Sequence, residues 1–183
     1  ILRSRHYRDM EEDVYSTVFR LIGTSLHHIV EQHGGDGAEE RLFLDLTEEF
    51  GRGERLVVSG AIDLQTNDEG GVVIGDYKMT SAAATRFPEK WAKQLNAYAF
   101  LVRRANGKRV SQLEVYAILK DWNWRSASTR SDYPKQPGVT IPIDLWSYEE
   151  QEDFFMGRIK AHIEADRMEQ PPHCTKDEQR RGQ

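Results

Sequence analysis

The spacing of apolar residues predicts one helix and then three strands in the first part of the chain. From Val14 to Gln32, apolar residues recur at the spacing of one helix face, and Gly34-Gly35 ends this helix. Apolar and polar residues then alternate, as they do in half-buried strands. We place the strands at residues 42–47, about 55–65 and about 71–79, with a turn at 67–71 between the last two.

A second helix and two further strands follow. Pro88 stands where a helix can begin, and an apolar stripe from Trp91 to Val102 indicates a helix that ends at Asn106-Gly107. The next strands are predicted at residues 113–119 and 139–143, the second weakened by the proline within it.

The last helix is predicted from its capping signal. Ser147 followed by Glu150 has the form of a capping box, which opens a helix that continues to about Met168. Strands clustered between helices predict an α/β fold with a mixed central β-sheet flanked by helices. We expect a single domain over residues 1–183, with its core at about 14–145 and a C-terminal helix at about 147–168 before a tail.

Composition narrows the class of protein. The chain has 183 residues, 38% of them hydrophobic, which is enough for a globular domain with a sizeable core. No signal peptide is recognisable, and no membrane span is expected because no apolar run is long enough. The single cysteine, Cys174, cannot form an internal disulfide or supply the four thiolates of an iron–sulfur cluster, and it fits a cytoplasmic protein.

The net charge of −5 argues mildly against a protein that binds nucleic acid through its overall charge. It does not exclude a metal-dependent nuclease, because the acids of a metal site count as negative charge in the sequence. Basic residues cluster in one stretch, where they either hold phosphates or form a solvated helix face. These residues are Arg86, Lys90, Lys93, Arg103, Arg104, Lys108 and Arg109.

Acidic residues on two neighbouring strands are the main candidates for chemistry. Asp76 and Lys78 point to the same side of a strand because side chains alternate. If the second and third strands pair as a hairpin, Asp63 lies near Asp76. Two carboxylates and the backbone carbonyl of Tyr77 suit Mg²⁺, and Lys78 is placed to orient a water or to stabilise charge on a phosphate. The alternative is a surface hairpin with ordinary exposed charges.

Helix positions supply further candidates. Gln94 and Tyr98 are four residues apart and share one helix face, where they either serve a site or form a core tyrosine beside a surface glutamine. On the first helix, periodicity alone does not choose between His27 and His28 as a site residue, and Glu31 lies one turn beyond His27.

Aromatic residues after the fourth strand allow two interpretations. Trp122, Trp124 and Arg125 either stack on single-stranded bases or pack under a loop, and packing is the commoner outcome. The sequence contains no GxxxxGK phosphate loop, no Gly-x-Ser-x-Gly motif and no helicase motif.

Four short motifs follow one another along residues 20–120. They are Gly23–His27, Gly60–Asp63, Asp76–Lys78 and Gln94–Tyr98. In this order they resemble the PD-(D/E)XK nuclease superfamily, in its RecB-like exonuclease branch, which includes phage recombination exonucleases and CRISPR-associated exonucleases. The resemblance implies a restriction-endonuclease-like core with helix, three strands, helix and strand in that order.

The resemblance also implies a role for each motif residue. It chooses His27 over His28 and implies that His27 is a metal ligand together with Asp63 and Asp76. Lys78 would be the catalytic lysine. Gln94 and Tyr98 would support the site and touch the DNA backbone. An imidazole ligand adds Mn²⁺ to Mg²⁺ as a candidate metal. Iron–sulfur members of the branch carry four cysteines, so no cluster is expected here.

The sequence therefore predicts a metal-dependent DNA exonuclease of phage or prophage recombination or repair. Its expected partners are DNA and a single-strand annealing or recombinase protein. The alternatives are a structure-specific endonuclease on the same fold, a catalytically inactive DNA-binding module, and a non-nuclease α/β domain with surface charges only.

Overall fold

A mixed five-stranded sheet forms the centre of the protein. The computed structural model describes residues 21–25, 28, 38–51, 53 and 55–168. The strands lie in the order of the chain. They are β1 (Ala38–Asp45), β2 (Val57–Asp68), β3 (Gly71–Thr80), β4 (Val110–Leu119) and β5 (Gly138–Ile143). Only the β3–β4 pair is parallel among these strands, and the others are antiparallel, which confirms the predicted mixed sheet with flanking helices.

Four α-helices whose two ends both lie in the described residues connect or cover these strands. They are α1 (Thr47–Phe50), α2 (Glu89–Asn106), α3 (Trp124–Thr129) and α4 (Tyr148–Arg167). The crossover between the parallel strands contains α2, which begins after Pro88 and ends at Gly107 in the left-handed conformation, with a φ of 65°. None of the helices in the described ranges combines the length and the apolar character that a membrane crossing requires.

The hairpin of β2 and β3 is closed by a two-residue turn. The Asp68 carboxylate accepts the N–H groups of Gly70 and Gly71 at 2.7 and 2.8 Å. Gly71 has a φ of 142°, and a Cβ there would lie 2.3 Å from the carbonyl oxygen of Arg109, so only glycine fits. The ladder extends from this turn to the pair formed by Leu64 and Gly75.

The core lies between the sheet and α2, and α4 packs against α2. Leu95, Ala99 and Phe100 of α2 are fully buried, and the Phe100 ring stacks on Phe155 of α4 with centroids 4.6 Å apart. Buried amides join the two helices, because the Asn96 oxygen accepts the Gln151 side-chain N–H at 3.0 Å.

The predicted strands and the two later predicted helices are present with boundaries correct to within a few residues, whereas α1 and α3 have no counterpart in the predicted elements. The first strand, predicted at residues 42–47, is Ala38–Asp45. The strand ends at Asp45 rather than at residue 47, because the Asp45 carboxylate accepts the Thr47 N–H at 3.0 Å and turns the chain into α1. The capping box of Ser147 and Glu150 is confirmed. Residues 21–25 and 28 are helical, and the rest of the predicted first helix lies outside the described residues.

Candidate active site

A carboxylate buried in the sheet is held by a lysine of the same strand. Asp76 and Lys78 lie on β3, and the Lys78 Nζ atom is 2.9 Å from Oδ1 and 2.7 Å from Oδ2 of Asp76. The Asp76 side chain is 2% exposed and the Lys78 side chain 28%. A buried charge is tolerated when an opposite charge compensates it. The ammonium group therefore supports an ionised Asp76 while still reaching solvent.

A second carboxylate approaches the same strand where the hairpin ladder stops. The pairing of β2 with β3 ends at Leu64 and Gly75, and Asp63 is the next residue of β2. Its Oδ2 atom accepts the backbone N–H of Tyr77 at 2.9 Å. Since Tyr77 lies between Asp76 and Lys78 in β3, this bond holds the Asp63 carboxylate beside the other two groups.

Two side chains of α2 complete the cluster. The Gln94 Nε2 group donates to Asp76 Oδ1 at 3.2 Å and to the Tyr98 hydroxyl at 3.0 Å. Burial raises the pKa of Tyr98, and the charges of Asp76 and Asp63 raise this pKa further, against the effect of the Gln94 hydrogen bond. Tyr98 is therefore a neutral phenol at physiological pH, which can donate a hydrogen bond to a phosphate oxygen.

Gly60 gives Tyr98 the space that it occupies. A Cβ atom at Gly60 would lie 2.8 Å from Leu101 Cδ1 and 3.2 Å from Tyr98 Cε1. The glycine of the Gly60–Asp63 motif thus lets α2 approach β2 closely. The sequence marks this glycine by its place in the motif, but its partner on α2 is 38 positions away and no local pattern predicts it.

Replacing Gly60 with alanine is expected to displace Tyr98 and to lower, by about 10- to 100-fold, the DNA cleavage that the sequence predicts, since small misplacements in a site have effects of that size. The measurement is the cleavage rate on labelled DNA together with a urea titration. The matched control is Gly157→Ala in α4, where a Cβ meets nothing within 4 Å. That variant should cleave normally and gain about 0.5–1 kcal/mol of stability. Normal cleavage by Gly60→Ala would contradict the role given to this contact.

The oxygen atoms of the cluster suit a hard divalent cation. The carboxylates of Asp63 and Asp76 and the backbone carbonyl of Tyr77 are the donor types that Mg²⁺ and Mn²⁺ accept. In the described part of the chain, no three His, Cys, Asp or Glu side chains come together as a metal-binding group. His27, the imidazole ligand that the resemblance implies, and Glu31 lie outside the described residues, whereas His28 is described and exposed.

The sequence profile of the PD-(D/E)XK nuclease superfamily matches residues 4–176. The chain belongs to the PD-(D/E)XK nuclease superfamily. No curated protein matches the chain. A solved structure described as "Crystal structure of SSO0001" is similar to this chain, with a TM-score of 0.48 and 18% identity over 84% of this chain and 69% of that one.

Membership in the superfamily confirms the predicted restriction-endonuclease-like fold class and the broad activity of a nuclease. PD-(D/E)XK nucleases generally use Mg²⁺ or Mn²⁺ and act on DNA. The RecB-like branch, the direction of attack on DNA and the residue roles remain predictions.

Two arginines of the basic stretch of this PD-(D/E)XK chain contact other helices. Arg103 donates to Gln151 of α4 at 3.0 Å, and Arg104 donates to Glu49 of α1 at 3.0 Å. Both residues lie in the last turn of α2 and join it to other helices. The rest of the stretch includes Arg86, Lys90 and Lys93, which lie close to the start of α2.

The tryptophans after β4 have different environments. Trp122 is half-buried, and its Nε1 group donates to the carbonyl of Pro134 at 3.0 Å, which is the packing interpretation. Trp124, the first residue of α3, is 74% exposed. Arg125 is exposed beside it. The packing interpretation is therefore wrong for Trp124.

Proposed function

We propose that this chain is a metal-dependent deoxyribonuclease that digests DNA from an end. The observation that carries the proposal is the environment of Asp76, a buried carboxylate contacted by the Lys78 ammonium and the Gln94 amide. Asp63 is held against the same strand. Ordinary surface charges would not be buried in this way, which argues against a non-nuclease domain.

Each side chain has a distinct task in this proposal. A bound Mg²⁺ or Mn²⁺ would be held by Asp63, Asp76 and the Tyr77 carbonyl, with His27 as the further ligand, and would supply an activated water and charge neutralisation at the phosphate. Lys78 places a positive charge where negative charge develops on the phosphate oxygens. Gln94 fixes the orientation of the Asp76 carboxylate, and Tyr98 donates its O–H to the DNA backbone.

End-directed digestion is supported by the order of the four motifs, which resembles that of the RecB-like exonucleases. We place the activity in DNA recombination or repair of a phage or prophage, in the cytoplasm, with a single-strand annealing or recombinase protein as partner. The alternative activity, that of a structure-specific endonuclease, would use the same site residues. An inactive DNA-binding module is disfavoured because Asp63, Asp76 and Lys78 are all present.

The test compares one DNA sequence in two forms, an end-labelled linear fragment and a covalently closed circle, each with Mg²⁺, Mn²⁺ or a chelator. We expect the linear DNA to be digested with either metal, the circle to survive, and the chelator to stop the reaction. Cleavage of the circle would establish an endonuclease instead. Binding without cleavage in both metals would establish an inactive module.

A further inference from the structure

Two loops follow the strands β3 and β4. Because these strands are parallel neighbours, their carboxyl ends lie side by side, and α/β proteins commonly bind ligands at the carboxyl ends of their strands. The loops after these strands contact each other directly. The Lys120 N–H donates to the Thr80 carbonyl at 2.9 Å, and the Ala82 N–H donates to the Asp121 carboxylate at 2.7 Å. We name the surface formed by residues 79–93 and 120–137 the rim.

Further contacts hold the outer parts of the rim together. Arg86 and Arg130 both bind the Asp132 carboxylate. These two hydrogen bonds lower the pKa of Asp132 to about 2, so it stays ionised at physiological pH. The hydroxyl of the next residue, Tyr133, accepts the backbone N–H of Asn123 at 3.2 Å. This chain of contacts links the residue before Phe87 to the residue before Trp124.

The rim exposes two large aromatic side chains. Phe87 is 58% exposed and Trp124 is 74% exposed. The Trp124 backbone is fixed, because the Asn123 side chain caps α3 by accepting the Ser126 N–H at 2.8 Å. An exposed ring on a fixed backbone presents a flat face to a ligand, whereas Trp122, two residues before Trp124, is used for packing.

The charge of the rim is opposite to that of the chain as a whole. Its two segments contain seven basic and three acidic residues, in a chain with a net charge of −5. The basic residues are Arg86, Lys90, Lys93, Lys120, Arg125, Arg130 and Lys135. A positive surface with exposed aromatic rings suits single-stranded nucleic acid, because basic side chains bind the backbone phosphates and unpaired bases stack on the rings.

The rim is also close to the candidate site. Thr80 lies two residues beyond Lys78 on β3, or about 7 Å at the rise of a strand. On the other side, Gln94 lies five residues after the first residue of α2, or about 7.5 Å along the helix axis, and Phe87 directly precedes Pro88 at the helix start. A nucleic-acid strand bound across the rim therefore extends to the cluster around Asp76.

We propose that the rim binds unpaired bases of single-stranded DNA on Phe87 and Trp124 and so gives the enzyme a preference for single-stranded ends over blunt duplex ends. This inference rests on the proposed function. Bases inside a duplex are stacked on one another and offer no free face to the rings. The backbone phosphates of both forms remain available to the basic residues.

The test measures binding in a chelator, so that cleavage does not interfere, by fluorescence anisotropy of a labelled single strand and of a blunt duplex. Trp124→Ala is expected to weaken single-strand binding about tenfold and duplex binding less than twofold. Trp124→Phe should retain most of the single-strand affinity. The control is Phe43→Ala, which removes a 62% exposed ring from β1, two strands away from β3, and should bind both DNA forms normally.

Equal single-strand binding by wild type and Trp124→Ala would overturn the inference, as would an equal loss for both DNA forms. If wild type cleaves DNA with Mn²⁺ but shows either result, only the rim proposal fails. If wild type binds single strands through Trp124 but cleaves no DNA in either metal, the rim stands and the proposed function fails. A wild-type protein that binds no single-stranded DNA overturns the rim proposal whatever its cleavage activity.

Discussion

Replacing Lys78 with alanine is expected to lower the rate of DNA cleavage by about 10²- to 10³-fold while Mn²⁺ binding is kept. Removal of one group that stabilises charge in a transition state has an effect of this size. Metal binding should persist because the carboxylates of Asp63 and Asp76 remain. Lys78 also offsets the charge of Asp76, so its loss makes the site more negative and favours a cation.

The measurement for Lys78→Ala is the initial rate on end-labelled linear DNA at saturating Mn²⁺, with calorimetry of Mn²⁺ binding to the same protein. The matched control is Lys108→Ala, which removes an exposed lysine that follows α2 and should cleave at the wild-type rate. Unchanged cleavage by Lys78→Ala would remove this lysine from the mechanism.

Replacing Asp76 with asparagine is expected to reduce cleavage still further and to weaken Mn²⁺ binding by more than about tenfold. The change keeps the size of the side chain but removes the negative charge that binds the metal, and even residues behind the ligands affect metal affinity by about 10- to 100-fold. The amide oxygen of asparagine still accepts the Gln94 hydrogen bond, so the contact between β3 and α2 should survive.

Stability measurements separate the chemical effect of Asp76→Asn from a folding defect. In the variant, Lys78 loses its ionic partner, but its partly exposed side chain can turn its ammonium group to water. The thermal midpoint should therefore remain close to that of wild type. The matched control is Asp153→Asn on the exposed side of α4, which should leave both cleavage and Mn²⁺ affinity unchanged. Wild-type cleavage by Asp76→Asn would exclude Asp76 as a ligand.

Local sequence patterns are sufficient for much of the fold. The alternation before and after the turn at residues 67–71 identifies the β2–β3 hairpin, and the capping box at Ser147 identifies the start of α4. Pro142 correctly marks the shorter strand, because β5 pairs with β4 alone in the described sheet and lies at its edge. Each of these features depends on residues that are close together in the chain.

Features that depend on distant residues could not be predicted in the same way. The space that Gly60 leaves for Tyr98 requires the packing of α2 on β2. The hydrogen bond that Arg103 donates to Gln151 depends on where α4 crosses α2. The different exposures of Trp122 and Trp124 depend on the rest of their loop, since the carbonyl that binds Trp122 is 12 residues away.

The central claim is that Asp63 and Asp76 close on one divalent cation beside Lys78. The most direct measurement is a calorimetric titration of Mn²⁺ into wild type, Asp63→Asn and Asp76→Asn. We predict a cation site in wild type to which both carboxylates contribute, so that either substitution weakens Mn²⁺ binding by more than about tenfold. Wild-type Mn²⁺ affinity in either variant would contradict the account, because the two acids would then not share a metal.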